Sequence, residues 1–117
     1  MKIPTHPTLI ERFCRARVRQ LRATGPVLAA SLVEIAKHCG HPNCRCQRGH
    51  RHRGYYLTFK QKRKTHTVYI PQDLLKEVKA WIAEHRRLRR LSQEITALSV
   101  ARIRTHVRAR RQRAGRR

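Results

Sequence analysis

Acidic residues are scarce in this chain: six Asp and Glu stand against 29 Lys and Arg, a formal net charge of +23. That surplus cannot be neutralised from within, so a compact state repels itself and is relieved by a polyanion. Aromatic residues are scarce too, at 5% of 117 positions. A core built from so little bulk is small, and staples or partners are expected to help it. No apolar stretch approaches the roughly 18 residues that a membrane-crossing helix needs. DNA, RNA and an anionic lipid surface remain as the polyanions to weigh. No Asp or Glu lies between Glu34 and Asp73, which removes the usual general base from the middle of the chain. The opening segment MKIPTHPTLIERF lacks a continuous apolar core ahead of a small-residue cleavage site. The expected location is therefore the reducing cytoplasm, in association with a nucleoid or a ribonucleoprotein. Closely spaced cysteines there bind metal more often than they pair.

What the chain does have is a concentrated cysteine cluster. Cys39, Cys44 and Cys46 fall within the run CGHPNCRCQRGHRH, which ends in His50, Arg51 and His52. Structural zinc is tetrahedral, takes thiolate and imidazole, and closes every position with protein ligands. Gly40, Pro42 and Asn43 favour the sharp turn that would gather the sulfurs. The fourth ligand is read as His52, with His50 in reserve. His38 and His41 are so close to Cys39 that they would strain a chelate. The competing readings are reduced thiols in a loop, a redox pair or a disulfide framework. Three thiolates make a poor Lewis acid for hydrolysis, so the expected protein is not an enzyme. Cys14 is separate and is expected as a small core residue of the first helix.

Periodicity predicts a mixed α+β fold. After an arm over residues 1–8, Ile10, Phe13, Cys14, Val18 and Leu21 recur at helical steps from Leu9 to Ala23. Arg17 intrudes on that apolar face, where its stem can snorkel. Thr24-Gly25-Pro26 stops the helix. Residues 27–38 read equally as a short helix or an extended stretch. Next come the metal loop and two β-rich runs, Tyr55 to Phe59 and Thr65 to Ile70, which form a two-stranded hairpin with a basic tip. Pro71-Gln72-Asp73 opens a long helix, with Asp73 and Glu77 at its positive end. Its seam is Leu74, Val78, Trp81, His85, Leu88 and Ile95, flanked by Leu91 and Leu98 and weakened by Ser92. The first helix is expected to pack antiparallel on it, and the residual seam admits a homodimer. The domain is expected over residues 9–100. Residues 101–117 hold eight arginines and no acid, a tail expected to be helical only when bound.

Arrays of cations bind phosphate chains by releasing counterions, with affinity that is strong, salt-sensitive and indifferent to sequence. Four zones qualify. They are the stripe Arg12, Arg15, Arg19, Arg22; the metal loop with Arg45, Arg48, Arg51 and Arg53; the tip Lys60, Lys62, Arg63, Lys64; and the tail, including Arg108, Arg110 and Arg111. Arg86, Arg87, Arg89 and Arg90 extend the last zone. Tyr55 and Tyr56 are candidates to stack on exposed bases, although strand alternation sends one of them to the core. A membrane surface is disfavoured because the apolar face of the first helix is needed for packing.

The segment Cys39-Gly40-His41-Pro42-Asn43-Cys44-Arg45-Cys46, followed by His52, Gly54, Tyr55 and Tyr56, resembles a family of short prokaryotic proteins. That family is a domain of unknown function marked by a C-G-x-P-x-C-x-C motif. Val68-Tyr69-Ile70-Pro71 and Ala80-Trp81-Ile82 match its later positions, and the likeness runs from Leu9 to Leu98. The resemblance implies a small accessory protein often encoded near transposases. It also implies that His52, just before the glycine and tyrosines, is the ligand histidine. The expected function is a non-enzymatic, zinc-stabilised nucleic-acid-binding protein assisting a transposase or a ribonucleoprotein. The alternative is a helical adaptor or dimerisation module whose charge only aids targeting.

Overall fold

The computed structural model describes residues 1–37 and 52–115, the side chains of Lys37 and His52 apart. The elements are α1 (Pro7–Gln20), β1 (Ser31–Lys37), β2 (His52–Gln61), β3 (Lys64–Ile70), a 3-10 turn at Gln72–Leu74, and α2 (Leu75–Gly115). They fall into two compact units, Met1–Thr24 with Arg86–Arg117, and Gly25–His85. The long helix α2 contributes residues to both.

In the helical unit, α1 begins two residues earlier than the apolar pattern predicts. His6 is extended and its Nδ1 accepts the Thr8 amide at 3.2 Å, while Pro7 takes the first helical position, where no N–H is needed. The arm expected over residues 1–8 therefore ends inside a helix. The other end of α1 lies at Gln20, short of the expected Ala23. Arg87 explains the stop: it donates to the Gln20 carbonyl at 2.9 Å and to the Arg22 carbonyl at 2.6 Å. The Gln20 carbonyl, at the end of α1, has no partner within its own helix.

α1 packs antiparallel on α2, with Arg17 beside Glu94 and Gln20 beside Arg87. Ile10, Leu91 and Leu98 are sealed, at 1%, 1% and 0% exposure. The expected seam is thus displaced. Leu91 and Leu98 hold the centre instead of flanking it, Leu88 and Ile95 are half-buried, and Ser92 faces solvent. The buried row Leu91, Leu98 continues in half-buried Ala101 and Thr105 at steps of seven, three and four, the spacing of one helical face.

The arginine-rich tail is helical through Gly115, contrary to the expectation of disorder without a ligand. Ala, Arg and Gln are strong helix formers, and an existing packed helix extends one bond at a time with no new nucleation cost. Thr96, Ser99 and Thr105 also bond the carbonyls four residues back.

In the sheet unit the expected two-stranded hairpin is a three-stranded antiparallel sheet, ordered β1-β2-β3. The extra strand comes from the segment that read equally as helix or strand. It pairs along the free edge of β2, from Ser31 opposite Thr58 to Lys37 opposite His52. A third strand is what an isolated hairpin generally needs to be stable in water. β2 and β3 pair from Tyr55 opposite Ile70 to Gln61 opposite Lys64, leaving a two-residue turn. Both turn residues are left-handed, Lys62 at φ 51° and Arg63 at φ 67°. That conformation matches the twist of the strands, and Asn-Gly normally supplies it.

One face of the sheet forms the core. Leu57 and Ile70 pack on Val78 and Ile82, with Leu32, Phe59 and Trp81 around them. The Leu28 amide donates to the Trp81 carbonyl at 3.1 Å and ties the incoming strand to α2. Pro71 caps the 3-10 turn and does not itself start α2; Asp73 lies in that turn and Glu77 in the first turn of α2. Among the described residues no helix is long and apolar enough to cross a membrane.

Candidate nucleic-acid interface

Cations that hold the fold must be separated from those that face outward. Arg17 is a structural cation. Its Nε is sealed from solvent 3.3 Å from Glu94 Oε2, close enough for an ion pair though not angled for a hydrogen bond. Nη1 donates to the Phe13 carbonyl at 3.2 Å, and the guanidinium lies 5.5 Å from the centre of the Phe13 ring. The side chain as a whole stays 22% exposed, and Glu94 meets it at the sealed Nε. Two other acids also have cationic neighbours: Glu11 binds Arg15 at 2.7 Å, and Glu34 lies 4.0 Å from Arg53. Both of these pairs are exposed and weak. With six acids for 29 Lys and Arg, most cations have no carboxylate to meet.

On α1, Arg12, Arg15 and Arg19 line one groove with Thr8, Glu11 and Ala16. Arg22, the fourth member of the expected stripe, lies just past the helix end and is exposed. Arg108, Arg110 and Arg111 are exposed on α2. A second groove of the helical unit is lined by Pro7, Thr8 and Glu11 from α1 and by Arg102, His106 and Arg113 from α2. Sequence reasoning did not single out Arg102, His106 and Arg113. Their spacing of four and seven puts them on one helical face, a signal hidden by the surrounding arginines.

In the sheet unit, Lys60, Lys62, Arg63 and Lys64 are all exposed around the turn, and Arg53 is exposed on β2. Alternation separates the tyrosines. Tyr55 turns toward the core, with Lys79 Nζ 5.7 Å from its ring centre. Tyr56 turns to the opposite face and meets Tyr69 edge-on, with ring centres 5.6 Å apart and planes at 64°. Gly54 makes room for the pair: a Cβ there would lie 3.2 Å from the Tyr56 ring and 3.6 Å from the Tyr69 ring. Tyr69, 58% exposed, was not among the candidate stacking residues named from sequence. Counting back symmetrically from a Lys62-Arg63 turn would have placed it opposite Tyr56.

Cys39, Cys44 and Cys46 lie outside the described residues, as do Arg45, Arg48 and Arg51. His52 is described by its backbone only, as the first residue of β2, partnered with Lys37 at the end of β1. Among the described residues no group of three or more His, Cys, Asp or Glu could hold a metal ion. Cys14 is a free thiol, half-buried on α1.

These features define a small α+β protein with a large surplus of outward-facing cations. The chain belongs to the family described as Domain of unknown function (DUF6788), whose model matches residues 9–80. That span takes in α1 from Leu9 onward, the sheet and the first turns of α2, and leaves the arginine-rich remainder of α2 outside. No curated protein and no solved structure shows a significant match to the chain.

Proposed function

We propose that the protein is a non-enzymatic nucleic-acid-binding protein, stabilised by zinc, that works beside a transposase or within a ribonucleoprotein in the cytoplasm. One observation carries the reading. Exposed cations crowd α1, α2 and the hairpin turn, while the chain has six acids with which to answer 29 Lys and Arg. Phosphate chains are the abundant ligands that take up such a surplus.

Zinc suits the donor set of Cys39, Cys44, Cys46 and His52 by its chemistry, three thiolates with one imidazole. The sheet register supports the assignment. Lys37 and His52 are partners, so the strand positions that bracket the cysteine segment are held side by side. Bound there, zinc would supply cross-links and no reactive centre. The C-G-x-P-x-C-x-C motif and the link to transposases belong to this proposal through the resemblance of the sequence.

The test is to purify the protein at low salt and recover what copurifies, digesting with DNase and RNase separately. Nuclease-sensitive material that leaves as salt rises is the expected result. A protein that emerges clean and ignores single-stranded and duplex probes at low salt refutes the reading. Elemental analysis is expected to find zinc, lost together with folding on chelation.

The adaptor reading keeps one observation in its favour. Val100, Ile103 and Val107 are exposed at helical spacing on α2. A protein partner retained at high salt would select it.

A further inference from the structure

We infer that the face of the sheet turned away from the core is a stacking surface for single-stranded nucleic acid, with Tyr69 as its outermost ring. The inference rests on the nucleic-acid reading and adds to it the form of strand bound.

The register sorts the residues. Opposite positions of an antiparallel pair share a face, so Tyr56 and Tyr69, Thr58 and Thr67, and Lys60 and Thr65 line the side away from Leu57 and Ile70. The open side of β1 adds Val33 and Ile35. No Asp or Glu occurs among the described residues of this face, whereas Glu34 lies on the core side of β1. On the core side Glu34 has Arg53 beside it, whereas Lys60 on the outer face has no carboxylate among the described residues of that face. Lys60 follows Tyr56 by four residues, about 13 Å along the strand, and Lys62 and Arg63 stand exposed just beyond it. A backbone held at the cationic turn would bring its bases over rings on the same face.

A duplex hides its bases in its own stack, so an aromatic sheet surface gains little from it. A single strand offers a π-face at every base, and stacking works with any sequence. The plainer reading is that the tyrosines merely cover Gly54, as aromatics do for glycine in strands. Tyr56 lies nearer to where a Cβ on that glycine would sit, 3.2 Å against 3.6 Å. Tyr69 remains more than half exposed, which cover alone does not require.

The test is fluorescence anisotropy on the full chain. The probes are labelled, unstructured DNA and RNA strands of about 12 nucleotides, within the usual footprint of such surfaces, together with the matching duplex. Tyr69→Ala is expected to weaken single-strand binding roughly 5- to 100-fold while leaving the duplex unchanged. Tyr69→Phe keeps the ring and should stay within about twofold. The salt slope should not move, because no phosphate contact is lost. Tyr69→Leu separates stacking from cover: it keeps apolar bulk over Gly54 but has no π-face. A Leu variant that melts as the wild type does and binds single strands as weakly as the Ala variant supports the inference. A Leu variant that binds like the wild type overturns it, as does an Ala variant that folds and loses duplex and single strand alike. Those outcomes leave the nucleic-acid reading standing. Absence of wild-type binding to every probe would sink that reading itself.

Discussion

Arginine does different work in the two units. In the helical unit some arginines are part of the frame: Arg87 holds the Gln20 and Arg22 carbonyls, and Arg17 meets Glu94 behind a sealed Nε. In the sheet unit the frame is aliphatic and aromatic, built on Leu57, Ile70, Val78 and Ile82, and the described cations stand at the turn and on the surface. Charge count alone cannot tell these roles apart. A carbonyl or carboxylate beside the guanidinium can.

The largest expected effects come from the apolar centres. Leu98→Ala in the helical unit and Leu57→Ala in the sheet unit should each cost about 2–5 kcal/mol in chemical denaturation. Hydrogen exchange should show protection falling first in the unit that carries the substitution. Equal loss across both units would break the comparison.

A smaller loss, about 1–2 kcal/mol, is expected for Arg17→Met, which strands Glu94 in a partly buried position. Adding Glu94→Leu should restore most of it, because an apolar pair can replace an ion pair at little cost. If the double variant is as unstable as the single one, Arg17 acts through its contacts with the Phe13 carbonyl and ring and not through Glu94.

Arg87→Ala should cost about 1 kcal/mol by releasing carbonyls at the end of α1. Arg12→Ala should leave stability untouched and instead lower the salt slope of nucleic-acid binding by about one. A slope change from Arg87, or a stability change from Arg12, would reverse the roles assigned to them.

The smallest effect concerns the hairpin turn. Arg63→Gly relieves a left-handed side chain and should gain up to about 1 kcal/mol. It should weaken nucleic-acid binding at the same time, as expected where a strained charge is kept for contact.

The helices and the hairpin were legible because their periods are strong: apolar steps of three and four in α1, and paired aromatic runs around Lys60 to Lys64. β1 was not legible, since VLAASLVEIAKH suits either state and only pairing with β2 decides it. The helical tail was hidden by its charge, which suggests repulsion but does not outweigh continuation from a packed helix. The basic zones on α1 and at the turn could be read from spacing. Arg102 and Tyr69 were harder to see: the helical spacing of the first is masked by the arginines around it, and the second emerges only once the turn is fixed at Lys62-Arg63.

The salt dependence of nucleic-acid binding tests the central claim most directly. A plot of log affinity against log salt should fall steeply and linearly, by about 0.9 per phosphate neutralised on duplex DNA and about 0.7 on single strands. A flat plot, or no binding at low salt, would show that the surplus of cations serves some other end.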